Sequence, residues 1–433
     1  MKKVTEPVER LCTLLKETDG YVLLRNPDVV ANLTRGGDVD LLVKDPHSFS
    51  RRLLEELGPP LMHMERSYVQ GFFWKWGHVD LLPALEWHGA VYLPSGKVLE
   101  SAFRNSEGLL EASLPHQAVV CWFSSLIWGG FFKEHYRELI VQAARACEDQ
   151  FYQSLEYAVG PFWARRLLQV AQAGKPEASE AWFRVLRRIL WWRAFRRSPL
   201  STLGRFVRFW VAEARLRIWP PAPWVAVLGL DGSGKSSLLN ALKKRLGRAR
   251  PFVDVRLEHW RPGRIMRSKA SGPVVDPHGK PSRGFLASLA KLGLLMVDWT
   301  IGYWSDLAHS RAKGMLLIFD RHFVDLWVDP KRYRYGGPMW LARLVGRFIP
   351  KPDLFFFLDL PAEVAHARKP EVSLEEAKRL REHYLKLALS VPNVHVVDAS
   401  RPLEEVVAEV EEIILRYLAA RTEKYIRRLG LLG

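Results

Sequence analysis

The chain has 433 residues, 48% of them hydrophobic and 26% charged. That composition excludes wholesale disorder, and the length provides for two or three domains with sizeable cores. With 64 Lys+Arg against 47 Asp+Glu the net charge is +17, which points to anionic partners: nucleotides, nucleic acid or an acidic membrane surface.

Cys12, Cys121 and Cys147 share no CxxC spacing. Neither a disulfide framework nor a zinc site is expected, and a reducing, cytoplasmic compartment fits. The first residues contain no apolar h-region, so no secretory signal is expected. The charge-free stretch Ala112–Phe132 holds Pro115, His116, Gln117, Ser124 and Ser125. It reads as a buried helix and not as a membrane span.

Over residues 1–150, strand-like runs at 21–25, 39–43 and 72–82 alternate with a helix-like run at 49–58, which predicts a small α/β or α+β domain. Asp38 and Asp40 are two apart, so on a strand they face the same side. Asp80 lies on another strand-like run and completes a carboxylate triad. Such a triad suits two Mg²⁺ ions clamping a nucleotidyl transfer; a solvated acidic strand is the plainer alternative. With Gly36-Gly37 ahead of Asp38, residues 20–135 resemble the nucleotidyltransferase superfamily of the polymerase-β type. The resemblance implies Asp38, Asp40 and Asp80 as metal ligands, in an active or a binding-only domain. The sequence departs from that family in one respect: the first strand ends in Arg25-Asn26, and the glycine pair directly abuts Asp38. Lys133 and Tyr136 are further candidates for contact with an anionic substrate.

Residues 151–222 read as a basic helical connector. From Pro161 to Pro220 there are thirteen Lys/Arg and three Glu among many Trp and Phe, with a loop expected at Ala173–Ser179. In Trp182–Arg197, Arg184, Arg187 and Arg188 share one helical face, and Arg193, Arg196 and Arg197 share another. The helix therefore breaks near Trp191-Trp192 or uses both faces. Packing between domains, contact with a membrane surface and contact with single-stranded nucleic acid all suit this composition. Trp219-Pro220-Pro221-Ala222-Pro223 is the clearest linker, because prolines stop helices.

From Trp224, apolar runs at 224–230, 253–259, 314–320, 354–360 and 394–399 are separated by helical segments. This predicts a five-stranded parallel sheet buried on both faces. The first run leads into Gly229-Leu-Asp-Gly-Ser-Gly234-Lys235-Ser236, which fits GxxxxGK[ST] and opens an amphipathic helix. Glycines there let successive amides converge on an anion at the positive end of the helix. Gly229, Asp231, Gly232, Ser233, Gly234, Lys235, Ser236 and Ser237 are the candidate phosphate-binding residues. Lys235 would reach the β- and γ-phosphates of ATP, and Ser236 would ligate Mg²⁺. Asp320 ends the third run, where a carboxylate can hold Mg²⁺. Arg321 offers a planar fork to phosphoryl oxygens, unless the two form a plain surface pair.

These residues, together with Arg261-Pro262-Gly263, Asp320-Arg321-His322 and the segments 352–369 and 396–400, resemble the thymidylate kinase family over about 224–420. The resemblance implies a P-loop kinase domain over 223–433 that uses ATP and Mg²⁺, with Lys235, Asp320, Arg321 and a lid arginine as catalytic groups. Arg368 is the first choice for the lid. Ser373 and Glu376 form a capping box that starts a helix carrying Arg379 and Arg381; pairing with Glu371, Glu375 and Glu376 is the bland alternative. Arg261, Arg332 and Arg334 are the candidate acceptor-binding residues. Where the family has its thymine-reading stretch, this chain has Phe323-Val324-Asp325-Leu326-Trp327, and it carries a long insert, Ser268–Arg283. The expected acceptor is therefore a small anionic or hydroxyl compound, such as a phosphate ester, a sugar or a polyol. A fusion with the N-terminal domain suggests two steps on one metabolite. A regulatory ATP-binding protein and a true dTMP kinase are the alternatives. Further expected partners are a membrane or nucleic acid at the connector, and a second copy of the chain.

Overall fold

A computed structural model describes residues 2–25, 28–34, 37–247, 251–263 and 278–432. Asn26, Gly36 and residues 268–277 of the insert lie outside them. The chain forms two compact units, Met1–Ala214 with Thr422–Gly433, and Arg215–Arg421.

The first unit is built on a seven-stranded mixed sheet of order β3-β4-β5-β2-β1-β9-β8. Its strands are β1 (Tyr21–Leu23), β2 (Asp38–Val43), β3 (Met62–Glu65), β4 (Gln70–Phe73), β5 (His78–Leu82), β8 (Phe103–Arg104) and β9 (Leu110–Glu111). A separate hairpin pairs β6 (Leu85–Trp87) with β7 (Ala90–Leu93). The run expected at 72–82 is two antiparallel strands, because Trp74 N donates to Gly77 O at 2.9 Å and closes a turn between them. Alternation sends Tyr21, Leu23, Leu41 and Val43 to one core, with Leu11, Phe49 and Leu53, and Val22 and Leu42 to another.

That second core contains the buried helix Leu114–Phe123, as its apolar composition led one to expect. The same core takes in Phe151, Leu167, Leu186, Leu190 and Ala194. The boundary expected at 150 is therefore displaced: the connector helices have no core of their own and bury their stripes with Trp122 and Phe123. The helix Phe183–Arg197 is unbroken, with only Leu186, Leu190 and Ala194 buried. A stripe that narrow leaves arginines on both flanks. The C-terminal boundary also moves. Ile426 and Leu431 join the first unit's core, and Tyr425 Oη donates to Glu65 at 2.8 Å.

The second unit holds β10 (Trp224–Gly229), β11 (Val255–His259), β12 (Leu316–Asp320), β13 (Leu354–Asp359) and β14 (Val394–Asp398). All neighbours are parallel, in the order β11-β12-β10-β13-β14. Parallel neighbours need crossovers, and the helices Lys235–Leu246, Phe285–Gly302 and Leu374–Ser390 lie between strands in sequence. By length and composition alone, Phe285–Ala312 is the one stretch among the described residues apolar enough to cross a membrane. Here it joins β11 to β12, with Leu292, Leu295 and Trp299 in the core. The strand order brings the carboxyl ends of β10, β12 and β13 side by side, which is where open α/β sheets bind ligands.

Candidate active site

The phosphate loop leaves β10 at Gly229 and enters the helix at Lys235. Gly229, Gly232 and Gly234 have φ of 146°, 84° and 92°, conformations that glycine adopts without strain. A Cβ on Gly232 would collide with the carbonyl oxygen of Ala365, so the helix Ala362–Arg368 passes directly over the loop. Lys235 is buried, and its ammonium donates to Gly229 O at 2.9 Å and Leu230 O at 2.7 Å. Burial, followed by repulsion from Arg321, lowers its pKa to about 8, against the pull of Asp231 and Asp320. Ser236 and Ser237 stand exposed on the helix's first turn.

Asp231 is the hub of the site. Its carboxylate accepts from Arg321 at 2.7 Å and from Arg332, with Lys235 at 3.9 Å. Burial alone would raise its pKa, but Arg321, Lys235 and Arg332 outweigh it and hold the group well below the usual carboxylate range. Arg321 follows β12 with φ of 75°, a conformation sparsely populated by non-glycine residues and frequent at functional sites. It also donates to Asp325 at 2.7 Å. Fully buried Asp325 takes further hydrogen bonds from Tyr333 Oη at 2.8 Å and from Tyr384 Oη. Arg321 is thus held by a saturated acid–phenol network.

Among the described residues, Asp320 Oδ1 is buried with no hydrogen-bond partner, as is Ser233 Oγ, while Oδ2 lies 3.3 Å from His259 Nδ1. An orphaned carboxylate oxygen beside a phosphate loop fits a divalent cation. Ser236 and Asp320 would hold Mg²⁺, which would neutralise charge on the β- and γ-phosphates.

The remaining arginines are placed differently from the sequence expectation. Arg368 is exposed and absent from the lining of the cavity beside the loop. Arg332 stands there instead, bonded to Asp231 and, at 3.1 Å, to Glu371. It therefore faces the phosphate loop. The reason is local: Arg368 ends its helix, whereas Arg332 follows a turn that bonds its backbone N–H to Asp329 at 3.1 Å. Arg379 and Arg381 are held by Glu376 and Asp359. Ser373 does cap its helix, accepting from Glu376 N.

Arg261 donates to fully buried Asp298 at 2.8 Å. Its neighbour Trp260 (φ 57°) stacks on Tyr333 with ring centroids 4.7 Å apart. Arg334 (φ 51°) donates to Pro281 O at 3.0 Å. Near it are two cations that sequence reasoning missed. Lys291 donates to Tyr333 O, and Arg283 reaches the same oxygen at 3.5 Å. Burial, then repulsion from Arg283, Arg334 and Arg261, lowers the Lys291 pKa to about 8. Among the described residues, Arg283, Lys291 and Arg334 form no ion pair with a carboxylate, which makes them a field for an anion. Lys291 sits in an apolar helical run, and only its charge within that run could have signalled it. Phe323, Val324 and Leu326 are core residues.

In the first unit, the β2–β5 register sets Asp38 opposite His78 and Asp40 opposite Asp80. Donor atoms of Asp38, His78 and Asp80 all lie within 4.8 Å of one another. Asp40 is drawn aside: it accepts from Arg25, which also bonds Asp38 at 3.1 Å and Tyr136 Oη at 2.8 Å. The compact donor set is therefore Asp38, His78 and Asp80, with Asp40 held by an arginine. Burial raises the Asp40 pKa to about 6, against the pull of Arg25. Lys133 lies 5.9 Å from the Tyr136 ring.

Comparison with known proteins bears on the second unit. Residues 227–410 match the family model "Thymidylate kinase". The chain is 29% identical to a probable thymidylate kinase of Pyrobaculum aerophilum over 205 residues, which is 45% of this chain and 96% of the relative. It is 27% identical to the thymidylate kinase of Xanthomonas campestris pv. campestris over 221 residues, 48% of this chain and 88% of the relative. A probable thymidylate kinase 1 of Saccharolobus solfataricus is 29% identical over 216 residues, 45% and 97%. Taken with the loop geometry, the similarity of residues 227–410 to thymidylate kinases makes the chain a P-loop phosphotransferase.

Proposed function

We propose that the second unit transfers the γ-phosphoryl group of ATP, in the presence of Mg²⁺, to a small phosphorylated acceptor. The observation that carries this reading is the convergence of Lys235, Arg321 and Arg332 on Asp231, beside the unpartnered Asp320 oxygen. A terminal phosphate group offers those three cations the same oxygens that Asp231 does. They would gather the negative charge that spreads over the transferring group, which is catalysis by position and field. Arg261, Arg283, Lys291 and Arg334 supply positive charge for the acceptor, and the Trp260–Tyr333 stack supplies a flat wall. The buried placement of Phe323, Val324 and Leu326 supports an acceptor other than thymidylate.

The test is an ADP-release screen over nucleoside monophosphates (dTMP included), sugar phosphates and unphosphorylated sugars, with Lys235→Ala as the blank. Stimulation by a phosphorylated acceptor supports the reading. Stimulation by dTMP alone would establish a thymidylate kinase, and ATP turnover indifferent to every acceptor would favour a regulatory nucleotide switch.

A second reading concerns the first unit, favoured by the close approach of Asp38, His78 and Asp80. It is a divalent-cation site of nucleotidyltransferase type. Mn²⁺ titration of the intact protein tests it, and a protein that binds no Mn²⁺ with or without a nucleoside triphosphate would refute it.

A further inference from the structure

The connector helices Phe183–Arg197 and Pro199–Ile218 leave an apolar face in solvent. Leu200, Leu203, Val207, Trp210 and Val211 are 87%, 48%, 52%, 46% and 61% exposed. Their spacing of i, i+3, i+7, i+10 and i+11 puts all five on one side of a helix. Trp192, on the preceding helix, is 57% exposed. It borders a recess of about 320 Å³ lined by Trp87, His88, Trp191 and Phe206, with Arg187 and Arg188 among its walls.

The charge around this face has a single sign. Residues 183–214 contain eight arginines and one acid, Glu213. That acid is buried and bonded to Arg66. Arg184, Arg188, Arg196 and Arg208 are exposed, and among the described residues none of them forms an ion pair. Protruding aliphatic groups beside solvated arginines suit the boundary of a bilayer, where the first enter the acyl layer and the second meet phosphates. Trp192 and Trp210 offer rings to a base, but Leu200, Leu203, Val207 and Val211 between and beside the arginines do not, and this aliphatic majority favours acyl chains over single-stranded nucleic acid. A second copy of the same face would set arginines against arginines.

We propose that this face docks, lying flat, on a bilayer surface rich in anionic lipid. The proposal is independent of the phosphotransfer reading, since it uses no residue of the second unit.

Flotation of the full-length protein with phosphatidylcholine vesicles, with and without phosphatidylserine, tests it. Binding is expected only to the anionic vesicles, with a blue shift of tryptophan emission. Replacing Arg184, Arg188, Arg196 and Arg208 by Gln should weaken binding about fivefold per arginine. The triple variant Leu200→Ser/Val207→Ser/Val211→Ser should lose tenfold or more, while circular dichroism and ATP binding stay unchanged. Because these positions are exposed, the variant retains the fold. Absence of binding, equal binding to neutral vesicles, or a serine variant that binds as well as the parent would each overturn the proposal. So would preferential binding of a single-stranded oligonucleotide, or a dimer that the serine variant dissolves.

Discussion

The two units each set carboxylates at the ends of parallel strands beside an arginine, with opposite charge balance. In the second unit one aspartate, Asp231, is met by Arg321, Arg332 and Lys235. In the first, Arg25 is met by Asp38 and Asp40, with Asp80 and His78 close by. The first arrangement has cation to spare and suits a phosphate; the second has acid to spare and suits a metal ion. Position differs as well. The phosphate loop leaves the carboxyl end of β10, where glycines and a helix N-terminus follow. The acidic group sits towards the amino ends of β2 and β5, where Asp38 and His78 are the first residues of their strands.

The comparison breaks most sharply where a buried charge loses its partner. Asp298→Ala leaves the Arg261 guanidinium uncompensated and should cost about 3–5 kcal/mol, read as a lower midpoint in denaturant unfolding. A variant as stable as the parent would show that the pair is not buried in solution. Lys235→Ala should lower phosphoryl transfer about 10²–10³-fold with the unfolding midpoint preserved, because its two carbonyl partners can turn to water. On the acidic side, His78→Ala removes the 2.8 Å partner of Asp80. It should weaken Mn²⁺ binding about 10–100-fold and leave ADP release untouched. Loss of both activities would mean that the two sites are coupled.

The smallest effect concerns pH. Burial and the neighbouring arginines lower the Lys291 pKa to about 8 in the fold, against about 10.4 in an unfolded chain. Between those values the unfolded state holds the extra proton, so this group makes the fold more stable as pH rises. Anion binding runs the other way, since a bound phosphate draws a proton back to Lys291. Pyrophosphate affinity should therefore decline above about pH 8, with proton uptake visible as a buffer-dependent heat in calorimetry. Lys235, whose pKa burial also lowers to about 8, contributes to the same decline, so Lys291→Met should reduce that dependence without abolishing it. A decline unchanged in the variant would remove Lys291 from it.

Local chemistry was legible in the sequence where it is carried by consecutive residues. The phosphate loop, the strand ending in Asp320, the Ser373 cap and the five apolar runs each depend on neighbours in the chain, and the structure sets them as expected. What could not be read was pairing across long separations. Arg332 meets Asp231 across a hundred residues, and its neighbours in the chain do not name that partner. Arg25 meets Asp40 only because β1 and β2 are antiparallel neighbours. Asp325 lies in the stretch where the sequence departs from the thymidylate kinase pattern. Its role as the buried anchor of Arg321 depends on Tyr333 and Tyr384 arriving from two other elements. The domain boundaries failed for a related reason: composition marks where a helix turns basic, but not which core its buried stripe joins.

The salt-linked hub at Asp231 makes entry of a nucleotide a substitution. On the proposed function, a triphosphate arriving at the loop would compete with a carboxylate that already satisfies the site's cations, so the gain would be the difference between two anions. Such a site would give up part of its affinity and in return hold its guanidinium groups aimed by Asp231 itself. It also grips an incoming triphosphate loosely enough for the spent diphosphate to leave.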